Sequence, residues 1–130
     1  MARILVVEDD ADVRALVIRR LQQGGHRVQG AADASEALSV IHTKGSPDLV
    51  VLDVGIPDLD GFGLLVKLRE EVRPDLPAVF LTGRMRPEDI ATGRALGAKY
   101  LTKPFDTTAL LSAVDTLLTE EAAKSEPNEW

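Results

Sequence analysis

Residues 50–61 read VVLDVGIPDLDG, and this stretch decides the fold. An apolar run ends on an acid, Asp53, and Gly55, Pro57, Asp58, Asp60 and Gly61 crowd in behind it. A Val/Leu run without polar alternation reads as a strand buried on both faces. The glycines, proline and acids that follow are turn and cap chemistry. A carboxylate at the end of a buried strand is costly unless something pairs with it. The residues ending the neighbouring strands therefore have to account for Asp53.

Working outward, the same pattern repeats. RILVV (3–7) is a second buried strand, followed by Val13, Leu16, Val17 and Leu21 at helical spacing until Gly24-Gly25. HRVQGAA (26–32) is a weaker strand, and DASE (33–36) fits a capping box with Asp33 as N-cap. Ala37, Leu38 and Ile41 carry that helix to Gly45, and PDLVVLD (47–53) is strand three. Phe62, Leu65, Val66 and Leu68 mark a third helix ending before Pro74. PAVFLTG (77–83) is strand four, and Pro87 with Glu88 and Asp89 opens a helix that Gly93 weakens and Gly97 ends. AKYLTK (98–103) is strand five, and Asp106 caps a last helix carrying Leu110, Leu111, Val114, Leu117 and Leu118. Five strand–helix units in succession predict an α/β, doubly wound fold: a parallel sheet with helices on both faces and right-handed crossovers.

Bulk properties agree. The chain of 130 residues suits one domain, with 45% hydrophobic and 28% charged residues. There are no cysteines, which excludes disulfides and thiolate metal sites. No apolar run approaches the ~20 residues of a membrane span, and MARILVVEDD does not read as a signal peptide. A net charge of −6 without a basic cluster in the sequence argues against direct nucleic-acid binding. His26 and His42 are expected at surface positions, too far apart to make a metal site.

Ligands in such sheets bind beyond the carboxyl ends of the strands. Strand one ends in Glu8 and Asp9, strand three in Asp53, strand four in Thr82 and strand five in Lys103, followed by Pro104. If these strands are neighbours, three carboxylates, a hydroxyl and an ammonium converge on one rim. Clustered carboxylates coexist when a cation joins them, and oxygen-only ligands favour Mg²⁺. A hydroxyl and a lysine beside them suit the handling of a phosphoryl group. Asp10, Asp58 and Asp60 read as cap and turn residues.

Taken in order and spacing, ILVVEDD, VVLDVGIPDLDG, FLTG and YLTKPF resemble the receiver domains of two-component response regulators, in register over residues 3–119. The resemblance implies a flavodoxin-like (βα)5 three-layer sandwich with strand order 2-1-3-4-5. It implies a phosphorylation-dependent switch in which Asp53 accepts a phosphoryl group from the phosphohistidine of a sensor histidine kinase or a histidine phosphotransfer protein. Asp9, Asp53, the main-chain carbonyl of Gly55 and, through water, Glu8 would hold Mg²⁺. Thr82 would bond the phosphoryl oxygen, Lys103 would pair with it, and a cis bond before Pro104 would position the lysine. Tyr100 matches the aromatic switch residue that follows Thr82, and Gly83 a small position that keeps the pocket open. An output partner would be met by the face of helix four, strand five and helix five.

The same reading expects a receiver domain over 1–121 and a polar tail over 122–130, disordered or a linker. It expects a cytoplasmic signalling switch, promoting its own phosphorylation and dephosphorylation, rather than an enzyme. Three departures from the family pattern stand out. GAKY has a lysine where two acids are common, and residues 107–121 contain no Arg or Lys, unlike a receiver that pairs acidic and basic dimer surfaces. Gly55 is also smaller than usual, which leaves one wall of the approach to Asp53 open, and Arg84 stands opposite; the missing wall is expected to govern the lifetime of the phosphoryl group. Two alternatives remain at this point: a Mg²⁺-dependent phosphohydrolase with Asp53 as nucleophile, which would favour an acid where Gly55 stands, and a pseudo-receiver that binds partners without phosphorylation.

Overall fold

The structure, a computed structural model, describes residues 2–125. The strands are β1 (Arg3–Val7), β2 (Arg27–Ala31), β3 (Leu49–Leu52), β4 (Ala78–Thr82) and β5 (Lys99–Thr102). The helices are α1 (Ala11–Gln23), α2 (Ala34–Lys44), α3 (Gly61–Glu71), α4 (Pro87–Ala95) and α5 (Thr107–Ser125), each following the strand of its number. All four strand pairings are parallel, in the order β2-β1-β3-β4-β5. The order reverses between β1 and β3, so their carboxyl ends border the crevice where such sheets place ligands.

Period-two alternation splits the central strands between two cores. Leu5, Val7, Val50, Leu52, Ala78 and Phe80 face one side, with Ala37 and Ile41 of α2 and Leu64, Leu65 and Leu68 of α3. Ile4, Val6, Leu49, Val51, Val79 and Leu81 face the other, with Val17 and Leu21 of α1 and Leu110, Val114 and Leu117 of α5. Each fully buried Val, Leu or Ile contributes roughly 1.5–3 kcal/mol, so the three central strands anchor both layers.

The caps follow the sequence. Asp10 accepts from the N–H groups of Asp12 and Val13, Asp33 from Glu36, Asp60 from Gly63 and Asp106 from Thr108. Asp58 does more than make a turn: its carboxylate reaches from the loop after β3 to accept from Ala34 and Ser35 at the start of α2, at 2.9 and 3.0 Å.

Four expectations need correction. Val66 is 45% exposed, because α3 turns Leu64, Leu65 and Leu68 to the sheet instead. α5 continues to Ser125, so the boundary expected at 121 falls inside a helix, and Lys124 belongs to that helix; the rest of the expected tail, 126–130, lies outside the described residues. His26 is half-buried rather than a free surface residue, since its Nδ1 accepts the Ala2 N–H at 3.3 Å. Strand three begins at Leu49, because the Asp48 carboxylate is committed to the Arg3 N–H at 2.8 Å.

Candidate functional site

Five of the expected site residues lie at or just past the carboxyl ends of their strands. Glu8 and Asp9 follow β1, Asp53 follows β3, Thr82 ends β4 and Lys103 follows β5. The Asp53 N–H donates to Val7 O at 3.0 Å and the Lys103 N–H to Thr82 O at 2.9 Å, so both residues extend the sheet's backbone pairing by one step. Glu8, Asp53 and Thr82 are buried, whereas Asp9 is exposed.

Lys103 lies at the centre of the rim. Its Nζ donates to Glu8 Oε1 and Oε2 at 2.9 Å each and to Asp53 Oδ2 at 2.6 Å. Asp53 Oδ1 accepts the Gly55 N–H at 3.0 Å. The Lys103–Pro104 bond is cis. Burial alone would raise the Asp53 pKa, but the bonds from Lys103, the Thr82 hydroxyl and the Gly55 N–H outweigh it and hold the carboxyl below its ordinary value. Glu8 shares the lysine and has in addition only a long bond from the Asp10 N–H, at 3.4 Å; burial, reinforced by the Asp53 charge, pushes its pKa up. Burial would lower the Lys103 pKa, and its two acidic partners raise it instead. Of the two buried acids that share Lys103, Asp53 is the one whose ionised form the site favours.

Carboxylate oxygens of Glu8, Asp9 and Asp53 come within 4.8 Å of one another. Three oxygen donors at this spacing, one exposed and open to incoming solvent ligands, fit a hard divalent cation that keeps part of its water shell. Asp10 stands outside the cluster, its carboxylate occupied as the cap of α1.

Tyr100 is half-buried on β5, its ring 6.1 Å from that of Phe80, which in turn meets Phe62 at 5.0 Å. Its hydroxyl donates to the Arg84 carbonyl at 2.7 Å. The N–H of the same residue, Arg84, donates to Thr82 Oγ1 at 3.3 Å. A Cβ at Gly83 would meet nothing within 4 Å, so the space there is open.

The contacts of Gly61 and Gly93 escaped the sequence reading, whereas Arg84 was already named there opposite Gly55. A Cβ at Gly61 would lie 2.2 Å from the Asp53 carbonyl oxygen, so only glycine lets the start of α3 close under the loop carrying Asp53. The Asp60-Gly61 pair was a legible turn signal, but the backbone it touches was not. Gly93 does more than weaken α4: a Cβ there would meet the Tyr100 ring at 2.8 Å, so this glycine seats the helix on the ring. The Arg84 side chain leans into the gap left by Gly55, where a Cβ would stand 3.8 Å from its Nη2 and 3.9 Å from Asp53 Oδ1.

Known proteins are similar to this chain in sequence and fold. The family model for the response regulator receiver domain matches residues 4–115. The chain is 41% identical over 117 residues to the probable transcriptional regulator ycf27 of Cyanophora paradoxa, covering 89% of this chain and 48% of that protein. It is 39% identical over 122 residues to the DNA-binding dual master transcriptional regulator RpaA of Synechocystis sp., covering 91% and 49% respectively. The chain thus spans about half the length of these curated relatives. Among solved structures, the chemotaxis protein CheY4 of Vibrio cholerae is similar with a TM-score of 0.82 at 34% identity, covering 90% of this chain and 98% of that one.

Proposed function

Because this chain belongs to the response regulator receiver family of two-component systems, we propose that it is a phosphorylation-operated switch with Asp53 as acceptor. A phosphohistidine on a sensor histidine kinase or histidine phosphotransfer protein is the donor. An Asp53 oxygen attacks phosphorus, the O–P bond forms as the N–P bond breaks, and the freed imidazole takes a proton. The observation that carries this reading is the Lys103 ammonium on Asp53 Oδ2 at 2.6 Å, with Glu8 and Asp9 alongside.

Each residue then has a role grounded in its contacts. Lys103 neutralises the incoming charge from a position already set by two acids. Thr82, whose hydroxyl helps hold the Asp53 carboxyl below its ordinary value, supplies a donor to the phosphoryl oxygens. Asp9, Asp53 and, through water, Glu8 would hold Mg²⁺, together with the Gly55 carbonyl, which no donor engages among the described residues. Mg²⁺ bound there would offset the clustered acids and screen the phosphoryl charge. The Asp53 pKa, held low, keeps the nucleophile ionised at neutral pH.

The switch is read out at α4, β5 and α5, where an output partner would dock. Arg94 and Lys99 are exposed there and Tyr100 half-exposed. No helix among the described residues is long and apolar enough to cross a membrane, and we place the chain in the cytoplasm with its kinase. Nucleic-acid contact is not a role we assign to these residues: RpaA is named as DNA-binding, but the chain covers only 49% of it. The chain acts here as a switch and not as an enzyme with an external substrate.

The test is intact-mass spectrometry after treatment with acetyl phosphate and Mg²⁺. One added phosphoryl group is expected, and none on Asp53→Asn. Full labelling of that variant would overturn the acceptor. No labelling of the native chain would favour a pseudo-receiver, and sustained turnover of a phosphomonoester would favour a phosphohydrolase.

A further inference from the structure

At the opposite end of the sheet from Asp53, a cavity of about 240 Å³ opens between the start of β1 and β2 and the end of α2. Arg3, Arg27 and Lys44 line it, with Val40, Ile41 and Pro47 as apolar wall. Arg3 and Arg27 are register partners in the parallel β1–β2 pair, so their side chains stand side by side on one face. Like charges placed opposite one another across strands destabilise a sheet. Among the described residues, no carboxylate lies within ion-pair distance of any of the three cations. The Asp48 carboxylate accepts the Arg3 backbone N–H at 2.8 Å. The carbonyl end of α2 favours a cation, and the Arg3 guanidinium lies 3.7 Å from where a Gly45 Cβ would be. All three cations are exposed, and they stand together at this end of a chain whose net charge is −6.

We propose that this cavity binds a small anionic ligand, an oxyanion carried on a compact apolar body. The paired guanidiniums of Arg3 and Arg27 would hold the oxyanion in a fork, with Lys44 beside it. The apolar body would lie against Val40 and Ile41. Ligand cavities usually begin at roughly 300 Å³, so the occupant is smaller than a dinucleotide or a folded segment. The site is separate from the Asp53 rim and does not depend on the proposed phosphorylation.

The test is an amide NMR titration of the whole chain with phenylacetate and with benzylphosphonate, using phenylacetamide and inorganic phosphate as controls. Saturable shifts at Arg3, Gln29 and Lys44 are expected for one or both organic anions, with a Kd of about 1 mM or tighter. The tighter anion identifies the head group as carboxylate or phosphate. Arg27→Gln should weaken binding about tenfold while leaving the melting temperature unchanged or higher, because it removes a like-charge contact. Several results would overturn the site. They are no saturation by either anion, an equal response to phenylacetamide, equal affinity for inorganic phosphate, or undiminished binding by Arg27→Gln. A lower melting temperature for Arg27→Gln would show that Arg27 has a stabilising partner within the fold and would remove the premise.

Discussion

Tyr100 and Thr82 hold opposite ends of one residue: the Tyr100 hydroxyl takes the Arg84 carbonyl at 2.7 Å, and Thr82 Oγ1 takes the Arg84 N–H at 3.3 Å. A displacement of Thr82 toward a phosphoryl group therefore pulls on one side of Arg84 while Tyr100 holds the other. The Tyr100 ring lies under Gly93, so α4 is the next element to feel the motion. This α4 has no side-chain N-cap and a glycine within it, features of a locally weak helix.

The first prediction follows from that link. Beryllofluoride, a phosphoryl mimic, should shift amide resonances from Asp53 through Arg84 to Gly93 and Lys99. In Tyr100→Phe the shifts beyond Arg84 should shrink, at a stability cost of about 1 kcal/mol for the lost hydrogen bond. Shifts confined to the surroundings of Asp53 in the native chain would reject the link.

Asp9 and Asp10 are adjacent but face different tasks, one in the acidic cluster and one capping α1. Asp9→Ala should weaken Mg²⁺ binding at least tenfold with little change in stability, on the scale of losing one charged ligand. Asp10→Ala should bind Mg²⁺ nearly as the native chain does and lose about 1 kcal/mol on urea unfolding. Calorimetric titration with Mg²⁺ and denaturation curves would expose the reverse order.

The lifetime of the phosphoryl group should depend on Arg84 more than on the bare Gly55. The gap at Gly55 is bordered by Arg84, whose Nη2 lies 3.8 Å from where a Cβ would stand. Water must approach phosphorus in line with the leaving Asp53 oxygen, and the exposed Arg84 side chain, beside Gly55, is long enough to swing across that approach. Arg84→Ala should speed the decay of the phosphorylated chain several-fold in excess Mg²⁺. Gly55→Met, which competes for the same space, should be non-additive with it. Equal half-lives for the native chain and Arg84→Ala would remove the idea.

Gly61→Ala should cost about 2 kcal/mol or more, since its Cβ collides with the Asp53 carbonyl and the loop must shift. Labelling of Asp53 by acetyl phosphate should slow in parallel. Gly83→Ala, with open space around it, is the matched control and should leave both thermal unfolding and labelling near native.

Asp58 gives a pH prediction. The N–H of Ala34, joined by that of Ser35, holds its carboxyl below the ordinary carboxylate value. A depressed acid contributes stability that is fully present above its unfolded-state value and lost as pH falls through the folded one. Asp58→Ala should therefore be less stable than the native chain at neutral pH, and the gap should close in strong acid. A gap that stays constant across that window would mean that the ionised cap contributes nothing.

Much of the molecule was legible in the chain because the signals are local. Buried strands announce themselves as Val/Ile/Leu runs, and helices start at Asp10, Asp33, Asp60 and Asp106 because a cap bonds N–H groups two or three residues on. The site residues were legible for the same reason, as each polar group sits where its apolar run stops. The strand order came from the family resemblance, since five strand–helix units alone are compatible with several orders. What only the tertiary structure decided are contacts between segments far apart in sequence. It chose the face of α3 that leaves Val66 in solvent, put the Asp53 backbone against Gly61, and sent Asp58 across to α2. It also gathered Arg3, Arg27 and Lys44 around one cavity in an acidic chain with no basic cluster in its sequence. Composition and periodicity report which residues are buried; which residues become neighbours depends on sheet register and crossover packing, and these are set only when the whole core closes.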